Sequence, residues 1–170
     1  MNDQTLMEIV DRIRNRFYGK YRGTVTEVED SGRIKAKVPA VLGEQATGWC
    51  MPCLPYAGDQ AGIAFLPEVD AGVWIEFEGG DVSYPIWVGC YWHTGDKPTR
   101  VKKDVKVIQT PKSNQQIVFD DSDHSITITD FFNKNSVTLD KTGIAIVRGS
   151  GKLAITDGKV SVNDGAMEVT

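Results

Sequence analysis

Two stretches of the sequence carry residues able to hold a metal: Cys50-Met51-Pro52-Cys53 and Cys90-Tyr91-Trp92-His93. The C-x2-C and C-x2-H spacings suit tetrahedral zinc. Ligands three apart need a tight knuckle, however, because residues i and i+3 of an extended strand point to opposite faces. Trp49 and Leu54 flank the first pair, and Ile86, Trp87 and Val88 lead into the second, so both read as strands. Small, buried, inert structural cysteines are the expectation, with no metal and no cofactor. Paired carboxylates occur at Asp120-Asp121 and at Glu76 with Glu78. They read as solvated positions near Lys or Arg. The two histidines, His93 and His124, both sit beside turn signals, and no G-x-S-x-G, H-E-x-x-H, P-loop or dinucleotide fingerprint is present. No acid, base and nucleophile are assembled, and no catalytic residue is expected.

The elements that would position these residues divide the chain in two. Its 170 residues are 41% hydrophobic and 25% charged, with formal net charge −4, 17 Gly, 7 Pro and 3 Cys. No apolar run approaches the ~18 to 20 residues of a membrane-spanning helix. Met1-Asn2-Asp3-Gln4 has no basic region leading into an apolar one, so folding in a cytoplasm is expected, as the odd, low cysteine count also suggests. Leu6, Val10, Ile13 and Phe17, at steps of 4, 3 and 4, put one apolar stripe on a helix within residues 1–18. That stripe lies either on its own domain or on a partner.

From Tyr21 the period switches to two. Tyr21, Gly23, Val25 and Val28, then Ile34, Ala36 and Val38, predict two strands joined at Glu29-Asp30-Ser31-Gly32. Further strands are expected at 48–54, 63–66, 73–77 and 85–92, between Pro- and Gly-rich turns. Short, closely spaced strands over 19–97 predict a small barrel of the OB type. Such barrels also bind single-stranded nucleic acid, which makes that the alternative function. Residues 1–96 hold 8 basic and 14 acidic residues, a balance that repels phosphate, so no nucleic-acid partner is expected and Trp49, Trp74, Trp87 and Trp92 read as core aromatics.

After a linker at 98–111 the chain changes character. Residues 112–170 carry brief alternating units at Ile126-Thr127-Ile128, Val137-Thr138-Leu139, Ile144-Ala145-Ile146, Leu153-Ala154-Ile155, Val160-Ser161-Val162 and Met167-Glu168-Val169. Their first members lie 11, 7, 9, 7 and 7 residues apart, an approximate short repeat. Each unit offers two apolar side chains, too few to bury a core. Stacked at about 4.8 Å per strand, the six units make a rod on the order of 30 Å long whose apolar face invites association. The reading is an intertwined three-chain β-prism; a two-sheet sandwich is the alternative. Ile126, Ile128, Val137, Leu139, Ile144, Ile146, Leu153, Ile155, Val160 and Val162 would line the prism axis.

The run Gly19-Lys20-Tyr21-Arg22-Gly23-Thr24-Val25, then Gly32 to Pro39, resembles the opening of the baseplate assembly protein V and central spike family of contractile phage tails and related injection systems. The resemblance continues through Trp49, Pro55-Tyr56-Ala57-Gly58, residues 65–69, 73–81 and 85–92. It implies an all-β chain: an N-terminal helix, an OB barrel and a trimeric intertwined β-helix or β-prism needle. It also implies a non-enzymatic homotrimer in a phage tail or injection particle, with a baseplate hub above the OB domain and a target membrane met only during puncture. The chain lacks room for the lysozyme domain of some relatives. It has no H-x-H pair near its C-terminus, so a separate PAAR-type tip protein is expected at Met167, Val169 and Thr170.

Overall fold

The computed structural model describes the backbone of residues 3–169; Thr170, expected at the tip-binding end, lies outside them, as do the side chains of Leu6 and Glu168. The chain separates into two compact units between Asp96 and Lys97.

The first unit opens with helix α1 (Asp3–Arg14), on which Met7, Val10 and Ile13 are exposed. Phe17, the last member of the apolar stripe, falls beyond the helix. Its ring packs edge-on to Tyr21 and Phe77, at centroid distances of 6.2 and 6.4 Å, and its N–H donates to the Gly80 carbonyl at 2.8 Å. Phe17 therefore belongs to the barrel.

The barrel is built from β1 (Tyr21–Val28) and β2 (Ile34–Lys37), then, after the short helix α2 (Pro39–Leu42), β3 (Met51–Pro52). A separate hairpin follows, β4 (Tyr56–Gly58) with β5 (Ala61–Ile63), before β6 (Gly72–Phe77) and β7 (Pro85–Tyr91). The sheet order is β2-β1-β6-β7-β3. It curls until Cys50, just before β3, meets Ile34 of β2. The Cys50 N–H donates to the Ile34 carbonyl at 2.7 Å, which joins the two edges. Closure of this kind removes free strand edges. Val25, Ile34, Ala36, Val38, Val73 and Ile75 fill the interior with no exposed surface, and Trp87, 4% exposed, donates its indole N–H to the Gly32 carbonyl at 3.1 Å. A bulge between Val25 and Glu27 restores Val28 to the apolar side, so the expected period of two survives with one slip.

Two expectations for this unit change. The segment 63–66 adds no barrel strand; Ile63 ends the separate hairpin instead. Of the four tryptophans only Trp87 is a core residue. Trp74 lies on the outer face beneath Arg22, Trp49 is covered by Arg33 and Lys35, and Trp92 is 58% exposed. Cationic stems shelter such outward rings, so aromatic type alone does not predict burial.

The second unit is one antiparallel meander of eight strands: β8 (Val105–Gln109), β9 (Gln115–Asp120), β10 (Ser125–Asp130), β11 (Asn135–Asp140), β12 (Gly143–Arg148), β13 (Gly151–Thr156), β14 (Lys159–Val162) and β15 (Met167–Val169). All six alternating units are strands. The stretch expected to be a linker, 98–111, contains β8, which pairs with β9 from Val105↔Asp120 to Gln109↔Gln116. Turns of two to five residues return each strand beside its predecessor, so every ladder joins neighbours of the same chain. Chains therefore need no interlaced hydrogen bonding along this sheet; what they have left to share is side-chain surface.

Candidate functional site

Register decides which side chains share a face, because residues opposite one another in a ladder point the same way. One row of cross-strand partners runs Ile108, Ile117, Ile128, Val137, Ile146, Leu153, Val162, Met167. Its companion two residues away runs Lys106, Phe119, Ile126, Leu139, Ile144, Ile155, Val160, Val169. Fifteen of these sixteen side chains are apolar. The opposite face carries Val107, Val118, Thr127, Thr138, Ala145, Ala154 and Ser161 in the intervening row, all small and three of them hydroxyl-bearing.

The ten residues expected on a prism axis thus fall on one continuous face. Ile126, Ile128, Leu139, Ile144, Ile146, Ile155 and Val160 are exposed, at up to 47% for Ile128, and Val137, Leu153 and Val162 are half-buried. Met167 and Val169 lie on the same face in the last strand, Val169 at 62%. Among the described residues no second sheet of this unit covers them, which excludes the two-sheet sandwich. Eight strands at ~4.8 Å make a face roughly 34 Å long. Two side-chain rows wide, its plan area is on the order of 400 Å², the size at which apolar surface marks an interaction site.

Three residues of this face, Ile108, Ile117 and Phe119, escaped the sequence reading. Ile117-Val118-Phe119 is unbroken apolar sequence, so alternation gives no sign of which members face which way. Val118 turns to the other side and is 2% exposed. The lone basic member, Lys106, forms an ion pair with Asp121 at the β8 end.

The acidic residues shape turns. Asp120, Asp130 and Asp140 each end a strand, ten residues apart, and each carboxylate accepts hydrogen bonds from the turn that follows. Asp120 accepts from the Ser122 hydroxyl and from the N–H groups of Ser122 and Asp123; Asp130 accepts from the Asn133 side chain and N–H; Asp140 accepts from the Thr142 hydroxyl at 2.5 Å and its N–H at 2.7 Å. Those bonds favour the ionised form, so each carboxyl titrates below its ordinary value, led by Ser122, Asn133 and Thr142 respectively. A depressed folded pKa contributes stability that is complete above the unfolded value near 3.9 and is lost as pH falls through the folded one. The melting temperature should therefore hold from pH 7 to about 5 and fall below about 4. Replacing all three by Asn, which still accepts a hydrogen bond but does not titrate, should flatten that acid limb; an unchanged limb would remove these turns as its cause.

The residues that could do chemistry are placed otherwise. All three cysteines are free, but the expected burial holds only for Cys50, whose thiol lies 3.2 Å from the Thr47 hydroxyl and has its pKa pushed up by desolvation; Cys53 and Cys90 are exposed. His93 turns its Nδ1 to Asp96 at 3.3 Å, and His124 takes a left-handed turn conformation with φ 50°. Among the described residues no three of His, Cys, Asp or Glu converge to hold a metal. Glu76 pairs with Lys20 at 2.5 Å, and Asp121 with Lys106. Among the described residues, no helix is long and apolar enough to cross a membrane.

Comparison with known proteins divides the chain at the same place. Residues 21–92 match the family model described as the type VI secretion system/phage-baseplate injector OB domain. Residues 105–168 match the phage baseplate V C-terminal trimerisation domain. A search of curated proteins gave no match. The second match covers the strands that carry the apolar face, and a domain of this kind trimerises. With an injector barrel followed at once by that trimerisation sheet, this chain belongs to the phage baseplate V family, whose members are structural components of phage tails and injection particles.

Proposed function

We propose that this chain is the central spike of a contractile phage tail or related injection machine, a homotrimer that joins the baseplate hub to a tip and aids puncture of a target membrane. The observation that carries the reading is the apolar face running unbroken through all eight strands of the second unit. Three copies turned inward enclose that face as a dry triangular core. Ile126, Ile128, Val137, Leu139, Ile144, Ile146, Leu153, Ile155, Val160 and Val162 line its axis.

The work is mechanical. Sheath contraction would load the rod along its axis, across successive strands. Each ladder is already hydrogen-bonded within its own chain, so the backbone is satisfied while the needle passes through lipid, where an unpaired polar group is costly. β15 has a ladder partner, β14, on one side only. It therefore presents Met167 and Val169 beside an open edge, suited to seat a separate conical tip of the PAAR type. The OB unit, with α1 and its exposed Met7, Val10 and Ile13, faces the hub in this scheme. Assembly occurs in the cytoplasm before release of the particle.

The test is deletion of the gene from a producing strain, followed by electron microscopy of the particles and complementation. Loss of the density at the end of the tube, restored by the wild-type chain, is the expected result. Particles that keep a complete spike without the chain would defeat the proposal.

A further inference from the structure

The hairpin β4–β5 stands apart from the closed barrel as a two-stranded sheet of its own. Residues 55–66 are exposed without interruption. Their composition is that of an interface centre. Tyr56 faces Ile63 across the ladder, Phe65 and Leu66 follow, and Asp59 is the one charged residue between Cys53 and Pro67. Tyr56 is 56% exposed and Phe65 68%. Aromatic enrichment with depletion of charge marks the buried centre of protein interfaces. Strands of three residues in a lone pair are also marginal in water, so the arm needs a cover to hold its shape.

The chain's own tether indicates which cover it meets first. The trimerisation domain holds three copies together. From the end of β7 at Tyr91 to the start of β8 at Val105 there are 13 intervening residues, a connection that cannot exceed about 45 Å. A tether this short keeps the neighbouring OB units at an effective concentration on the order of millimolar, well above that of any free partner. Asp59, the arm's single charge, sits in the two-residue turn between β4 and β5, so the strands and the Phe65-Leu66 tail bring no charge to a unit that carries 14 acidic and 8 basic residues. We infer that the Tyr56–Leu66 arm docks on the OB unit of a neighbouring copy within the trimer, head to tail around the three-fold axis, and so closes the barrel end of the assembly. Three-fold symmetry permits such an exchange, each copy giving one arm and receiving one. The inference rests on the trimer.

The experiment is hydroxyl-radical footprinting of the purified full chain, with no other protein present, reading Tyr56 and Phe65. Both should be labelled about tenfold more slowly in the trimer than in a monomeric chain produced by Ile144→Asp. A second variant, Phe65→Asp, should keep the trimeric mass, because the second unit is untouched, while Tyr56 labelling rises to the monomer rate. Slow Tyr56 labelling that persists in Phe65→Asp overturns the inference. So does a wild-type trimer whose Tyr56 and Phe65 are labelled at the monomer rate, which would assign the arm to a different protein. A wild-type chain of monomeric mass defeats the trimer, and this inference with it.

Discussion

Ile144→Asp yields a folded OB unit on a chain that no longer trimerises. Ile144 opens the second residue pair of β12, the fifth of eight strands, with Leu139 on one side and Ile155 on the other. In the single chain it is exposed, so the substitution adds no strain to the isolated sheet. In the proposed trimer the same position is enclosed, and three carboxylates would arrive at one level of a dry core. Each unpaired charge costs about 3 to 5 kcal/mol to bury, and the three repel one another. The sum exceeds what neighbouring apolar contacts can offset, at about 1.5 to 3 kcal/mol per side chain. Light scattering should report the monomer. Thr138→Asp, on the adjacent strand but the opposite face, is the control and should stay trimeric. If both variants remain trimers with unchanged melting, the apolar face does not form the axis.

Gly143→Ala should be the most damaging small substitution in the second unit. Gly143 begins β12 at φ 137°, a conformation that side chains rarely adopt, and a Cβ there would lie 2.0 Å from the Ile155 carbonyl oxygen and 3.0 Å from its carbon. The obstacle is backbone that cannot rotate aside. Relief requires β12 and β13 to separate where Ile144 meets Ile155, which also tilts two members of the apolar face. Strain of this kind costs about 1 to 3 kcal/mol before the ladder is disturbed, and the whole effect should exceed about 3 kcal/mol. Thermal unfolding of the trimer is the measurement. Gly149→Ala, also at positive φ but with open space around its Cβ position, should cost markedly less. Equal losses at the two positions would mean that backbone conformation alone, and not the approach of Ile155, sets the requirement.

Much of this architecture is written in local pattern. Units such as Ile126-Thr127-Ile128 carry a two-residue period that places both isoleucines on one face, and short turns containing Asp or Gly tie each unit to the next. The ten residues of this shared face could therefore be named from alternation alone. What alternation could not reach were the positions where apolar residues run together. Ile117 and Phe119 share the face while Val118 turns away, a division that only the register with β10 reveals. Strand β8 was hidden by Pro98 and Pro111, which bracket it and give its surroundings the composition of a linker. Trp74 and Trp49 read as core because of their type, yet the cationic side chains that cover them come from other strands. In sequence 55–58 reads as turn chemistry and 63–66 as a barrel strand; the detachment of this arm from the barrel depends on tertiary pairing.

Sedimentation equilibrium of the purified full-length chain tests the account at its centre. Each chain has a mass of 18.7 kDa, so a trimer closed by the apolar sheet face sediments at about 56 kDa with no dissociation on dilution. A monomer of one chain mass, or a dimer, would show that the face is covered in some other way and would contradict the trimeric spike.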